Sequence, residues 1–390
     1  MQDKSSWRLA SVIRAKIAAA SILVILLITG TPVITSGEPS NHDCDAGIQA
    51  FNRGKADDAL RCFNSAIEQN PQNVAAYVYR GFALNRLGRS DKAIESFQDA
   101  VKCVAGSAAD SYWRGRAYLA LGKHPEAAKA LEEAIKINPH YDEAYLFKGN
   151  AYSAMGKPEA ALKSLDEWVA ASPRNADAYK ARADLCYLTL HKYQQAVADY
   201  TRALELAPTM TEARAERARL FTQQLKEYRK AIQDYEVLVA VSANKTSAYA
   251  NRASAYAQLN EYDKALADYD RSLKLNPEQA NLYQGKAYVW ERQGNYERAA
   301  DDLTHFIEMS KSKIGAHMYH AYMWRASINE KAQRLADAIA DYSKAIELMP
   351  DDSLGYAERA RLFEKAGDTV SAKSDRQKAH DLGPPKLICD

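Results

Sequence analysis

The chain has 390 residues, is 47% hydrophobic, holds 24 tyrosines and carries a formal charge of +2. That apolar content excludes a disordered chain, and the near-neutral balance excludes a nucleic-acid binder, which needs a basic face. With only 17 glycines and 12 prolines, helices are favoured over a many-stranded sheet.

Residues 1–37 stand apart from the rest. Lys4, Arg8, Arg14 and Lys16 precede the uncharged stretch IAAASILVILLITGTPVITSG, which runs to Glu38. A basic head, an apolar run and the small residues Thr35 and Gly37 make an export signal. The stretch is also long enough to span a bilayer. The expectation is a cleaved signal, favoured by Gly30 and Pro32, or an anchor retained through residues 17–36. Either places the remainder outside the cytosol, periplasmic or secreted. An exported chain can pair its cysteines. Among Cys44, Cys62, Cys103, Cys186 and Cys389, the expected disulfide joins Cys44 to Cys62 across a turn at Gly54. Free buried thiols are the alternative.

Further along, one phrase recurs. It reads AVADYTRALELAP at 196–208, ALADYDRSLKLNP at 265–277 and AIADYSKAIELMP at 338–350. Its opening alanine falls at Ala59, Ala93, Ala127, Ala161, Ala196, Ala231, Ala265, Ala299, Ala338 and Ala372, in steps of 34 or 35 except one of 39 before Ala338. Four residues on stands a bulky side chain, such as Phe63, Phe97, Leu131, Tyr200, Tyr269 or Tyr342, and a small residue follows three later in most copies. That spacing is one stripe of a helix. Prolines such as Pro71, Pro139, Pro208 and Pro350 close the phrase, as expected just past a helix end. Each phrase is preceded by another helical pattern, for example AYLFKGNAYSAMG at 144–156, that ends in Gly or Asn. Each unit is therefore an antiparallel helix pair.

The small residues Gly81, Gly115, Gly149 and Ala253, the aromatics Tyr118, Tyr152 and Tyr256, and the Ala-bulky-Ala-Pro phrase together resemble the tetratricopeptide repeat. The resemblance covers residues 40–384 and leaves 385–390 as a tail. It implies an all-α fold, a right-handed α–α superhelical solenoid of about ten repeats. It also implies a concave groove lined by the first helix of each pair. The tyrosines are then mostly core, and the small residues mark close helix contacts.

A second column runs through the units. A cation precedes the opening alanine by 13 or 14 residues at Arg80, Arg114, Lys148, Arg182, Arg217, Arg252, Lys286, Arg325 and Arg359. An aspartate follows that alanine by three at Asp199, Asp234, Asp268, Asp302, Asp341 and Asp375. In an antiparallel pair these lie at one height, so an ion pair within each repeat is expected; a basic track for an anionic ligand is the functional alternative. The ends read as caps: Arg376 fills the bulky slot of the last unit, and Asp43 stands where later units carry an aromatic.

The remaining stripe of each first helix faces the groove. In repeats two to four it includes Val78, Phe82 and Asn85, then Tyr112 and Arg116, then Leu146 and Asn150. An apolar strip with Arg and Asn inserted suits an extended peptide. Repeat seven offers only Ser247, Ala250, Ser254 and Ala257. The lysine, arginine and asparagine set with which some relatives hold acidic chaperone tails is absent, and so is a J domain. The insertion before repeat nine lies around SKSKIGAHMYH, 310–320, where His317 and His320 stand three apart as a weak metal-site candidate. No phosphate loop, nucleophile elbow or zinc-protease motif occurs. The expected function is a non-catalytic, cofactor-free scaffold that binds a protein or peptide partner. It touches no nucleic acid, and meets a membrane only through an uncleaved N-terminus. A self-associating module, or an accessory subunit of an envelope, secretion or polysaccharide-modifying complex, is the alternative.

Overall fold

The computed structural model describes residues 42–242, 245–310 and 316–384. The expected export signal, the tail with Cys389 and residues 311–315 of the insertion before repeat nine lie outside those residues. Among the described residues there are twenty α-helices and no strand. They fall into two compact blocks, one ending at Ala213 and the other beginning at Arg214. The first block holds α1 (His42–Asn52), α2 (Ala56–Gln69), α3 (Val74–Arg86), α4 (Ser90–Lys102), α5 (Ala108–Ala120), α6 (His124–Ile137), α7 (Asp142–Ala154), α8 (Pro158–Ala171), α9 (Ala176–Leu188) and α10 (Tyr193–Leu206). The second holds most of α11 (Thr211–Leu220), then α12 (Tyr228–Val241), α13 (Thr246–Gln258), α14 (Tyr262–Leu275), α15 (Ala280–Arg292), α16 (Tyr296–Met309), α17 (Ala316–Lys331), α18 (Leu335–Leu348), α19 (Ser353–Lys365) and α20 (Thr369–Leu382). Within each block an odd helix pairs with the even helix after it, α11 doing so through its continuation at Phe221–Leu225, and that even helix packs on the next odd one. This is an all-α solenoid of ten helix pairs.

The repeated residues close these contacts. Ala59, Phe63 and Ala66 of α2 are fully buried, as are Ala196, Tyr200 and Ala203 of α10. Each fully buried bulky side chain contributes about 1.5–3 kcal/mol relative to exposure. Glycine is required where α3 meets α4 and where α5 meets α6: a Cβ on Gly81 would lie 2.4 Å from the Phe97 ring, and one on Gly115 would lie 2.6 Å from Leu131. The turn inside each pair uses a left-handed residue, which relieves the last carbonyls of the first helix. Gly54, Gly88, Gly122, Gly156, Gly294 and Gly367 take this position, and so do His191, Lys226, Asn260 and Gln333, without glycine's freedom.

Two departures in period have structural causes. The steps of 35 place one extra residue between cation and opening alanine. In repeat six it is absorbed by a π-helical turn at Phe221–Leu225, ahead of Lys226 at φ 56°. In repeat five it lengthens the turn that holds His191 at φ 55°. In repeat nine, α17 is 16 residues long where most first helices have 13, so part of the insertion extends this helix at its N-terminus. His317, on that added part, and His320, just past it, are both exposed.

At the C-terminal end α20 buries only Ala372 and Asp375, and Arg376 stays exposed beside Glu364. This is the polar outer face that a terminal repeat needs. The expected Cys44–Cys62 disulfide is not formed; both are free thiols. Cys44 packs with Ala59, Phe63 and Ala66, whereas Cys62 is turned about 100° around α2 from its neighbour Phe63. No helix among the described residues is long and apolar enough to cross a membrane.

A candidate peptide-binding face on repeats two to four

The cation column is accounted for by the fold. Arg182 donates through Nε and Nη2 to Asp199 at 2.9 and 2.7 Å, and Arg217 binds Asp234 likewise at 2.8 and 2.6 Å. Arg252–Asp268, Arg325–Asp341 and Arg359–Asp375 repeat the two-pronged bond. Lys286 is only 3.8 Å from Asp302; burial pushes the Asp302 carboxyl up, and Lys286 opposes this incompletely. Where the aspartate is missing, Arg80 donates to Ser96 at 2.8 Å, Arg114 to Glu133 at 2.7 Å and Lys148 to Glu167 at 2.7 Å.

Several of these cations also have a second arm that their spacing alone did not reveal. It reaches the preceding repeat, five residues past that repeat's opening alanine. Lys148 meets Glu132, Arg182 meets Asp166, Lys286 meets Asp270, Arg325 meets Thr304 and Arg359 meets Ser343, at 2.7 to 2.9 Å. The signal was present as a polar residue at that spacing in successive repeats. The column thus clips neighbours together, and its cations are occupied by protein acceptors rather than free for an anionic ligand.

The first helices α3, α5 and α7 lie side by side. Of the seven groove residues expected there, Asn85 is exposed, while Phe82, Leu146 and Asn150 are half-buried. Val78 is fully buried against Val74 and Phe97 and offers nothing to a ligand. Tyr112 and Arg116 are also largely covered, at 5% and 7% exposure. The cover comes from an aromatic column one residue ahead of the cations: Tyr79, Trp113 and Phe147. Trp113 packs on Tyr79 at 4.7 Å and on Tyr112 at 4.9 Å between centroids, and Tyr141 lies 5.0 Å from Tyr112. The periodicity of one helix does not reveal rings contributed by the next.

Arg116 sits at the centre of this cluster. Its guanidinium carbon is 3.9 Å from the Phe147 centroid, 5.5 Å from Phe82, and 5.7 Å from both Trp113 and Tyr112. Nη1 donates to the Tyr112 hydroxyl at 2.7 Å, and the buried Nε has no acceptor. Burial pushes the Tyr112 phenol up, with Arg116 opposing. The cluster is apolar and aromatic, with one guanidinium among its rings.

Models described as Tetratricopeptide repeat match residues 44–108, 118–185, 186–245, 252–322 and 305–353. The chain belongs to the tetratricopeptide repeat family. Solved structures similar to this tetratricopeptide repeat protein include one from Parabacteroides merdae, at 20% identity and TM-score 0.46, covering 71% of this chain and 100% of that one. Another is the C-terminal part of a repeat-containing protein from Cytophaga hutchinsonii, at 18% identity and TM-score 0.47, covering 62% and 98%. A thermophilic repeat protein in Thermus thermophilus has 26% identity and TM-score 0.39, covering 46% and 98%. No curated protein sequence matches. Tetratricopeptide repeats typically mediate protein–protein interaction.

Proposed function

We propose that this protein is a non-catalytic scaffold that holds an extended segment of a partner protein on the first-helix face of repeats two to four. The observation that carries this reading is the rigid aromatic bed of Tyr79, Trp113 and Phe147, with Phe82, Leu146 and the two asparagines Asn85 and Asn150 at its accessible surface. Asn251 and Gly285 take the column's place in repeats seven and eight. Phe82 and Leu146 offer apolar contact held in place by the rings packed beneath them, and asparagine amides can bond a peptide backbone. We infer further, from residues 1–37, that the scaffold works outside the cytosol, periplasmic or secreted, or held at the membrane through residues 17–36.

The test is affinity capture with residues 38–390, followed by binding of the captured partner to variants. Asn85→Glu with Asn150→Glu alters accessible positions without emptying the core, and should abolish binding while the helical circular dichroism stays normal. Lys129→Glu, on the exposed side of the second helix α6, should bind as the wild type does. Equal binding by all three removes repeats two to four as the site. A reporter fused after residue 40 that stays in the cytosol removes the export reading.

A further inference from the structure

We propose that Arg116 is the seat for an internal aspartate or glutamate side chain of the extended partner segment, flanked there by apolar residues. The inference rests on the peptide-binding reading above and names the chemistry of the occupant. Two cations are buried among the described residues, Lys148 at 4% exposure and Arg116 at 7%. Lys148 is held between Glu132 and Glu167. Among the described residues no carboxylate holds Arg116. Glu143 is near enough to act on the Tyr112 phenol, yet it forms no ion pair or hydrogen bond with Arg116.

A guanidinium has five N–H donors. The Tyr112 hydroxyl takes one, and Nε, fully buried, has no acceptor. Aromatic faces attract the cation but do not satisfy its N–H groups, and a charge withdrawn from water without a counter-ion is costly. The repeat itself does not demand a cation here. The same position is Phe82 in repeat two and Asn150 in repeat four. A partner carboxylate supplies both an acceptor and the missing counter-charge, and with Cζ held 3.9 Å over the Phe147 ring the guanidinium's remaining N–H groups are fixed in place to bond it.

The acidic group is placed inside the segment rather than at its end because Arg116 lies in the middle repeat. Phe82 and Asn85 extend the face to one side, and Leu146 and Asn150 extend it to the other. A chain lying along the face crosses Arg116 with apolar contacts before and after it.

The experiment pans phage-displayed random dodecapeptides against the full chain, each fused through its C-terminal end so that none has a free terminal carboxylate. The expected selection shares one Asp or Glu among apolar residues. Synthetic amidated forms should lose on the order of 10- to 100-fold in affinity on Arg116→Gln. They should lose as much when the acid is replaced by its amide, and little more when both changes are combined. Peptides that footprint on α3, α5 and α7 without an acidic consensus, and bind Arg116→Gln normally, overturn the carboxylate seat and leave the peptide-binding reading standing. A library that yields no binder, or only binders elsewhere, overturns both. Stability gives an independent readout. Arg116→Met removes an uncompensated charge, so without ligand it should melt no lower than wild type. A melting temperature lowered as far as that of Arg325→Met would show that the rings alone are the partner Arg116 needs, and would overturn the proposal.

Discussion

Arg325→Met should cost far more than an ordinary surface substitution. Asp341 is 4% exposed and holds Arg325 through two bonds of 2.6 and 2.9 Å. The substitution leaves the carboxylate with only the Asn329 amide, at 3.0 Å, and strips Thr304 of its cross-repeat partner. Removing one member of a buried pair costs about 3–5 kcal/mol, whereas replacing both by apolar groups of similar volume is near neutral. Arg325→Met/Asp341→Leu should therefore recover most of the loss, with a coupling of about 3 kcal/mol or more. Because a repeat array need not unfold as one unit, the assay is native-state hydrogen exchange read at α17 and α18. A single-substitution cost below about 1 kcal/mol, the value of an exposed pair, or a double variant equal to the sum of its singles, refutes the buried-clip reasoning.

Other outcomes follow from individual residues. Gln333 sits at φ 63° in a turn where six other repeats use glycine, so Gln333→Gly should stabilise the ninth repeat by about 0.5–1 kcal/mol in the same exchange measurement; a loss would mean that the side chain is needed. Burial pushes the Cys44 thiol up to about 12, so at pH 8 iodoacetamide should label the half-buried Cys62 and leave Cys44 unmodified in the folded protein, and prompt labelling of Cys44 would contradict its packing. The raised Asp302 carboxyl binds its proton more tightly folded than unfolded, so stability falls as pH rises from its ordinary value of 3.8 through the raised one and levels off above it. Asp302→Asn should match wild type in acid and exceed it at neutral pH in thermal melts; parallel curves would refute the assignment.

Helix pairing and period were legible because the same burial problem is solved ten times, so the alanine, bulky and glycine positions repeat wherever two helices touch. The ion pairs within repeats were legible for the same reason. Their arms to the preceding repeat were written just as regularly, at Glu132, Asp166, Asp270, Thr304 and Ser343, but a lone polar residue on a helix gains meaning only from its neighbour in space. The steps of 35 announced an extra residue without saying whether a turn or a helix would absorb it; Phe221–Leu225 shows the helix doing so. Spacing on α5 assigned Arg116 to the groove stripe but cannot show that the Phe147 ring of α7 lies against it. For the same reason, Val78 looked like groove and is core.

Hydrogen exchange of the full chain, with and without a bound partner peptide, tests most directly whether repeats two to four form the recognition surface. New protection is expected on α3, α5 and α7, with the amides of α13 and α15 unchanged. Protection confined to α13 and α15, or to the second helices α4, α6 and α8, would contradict it.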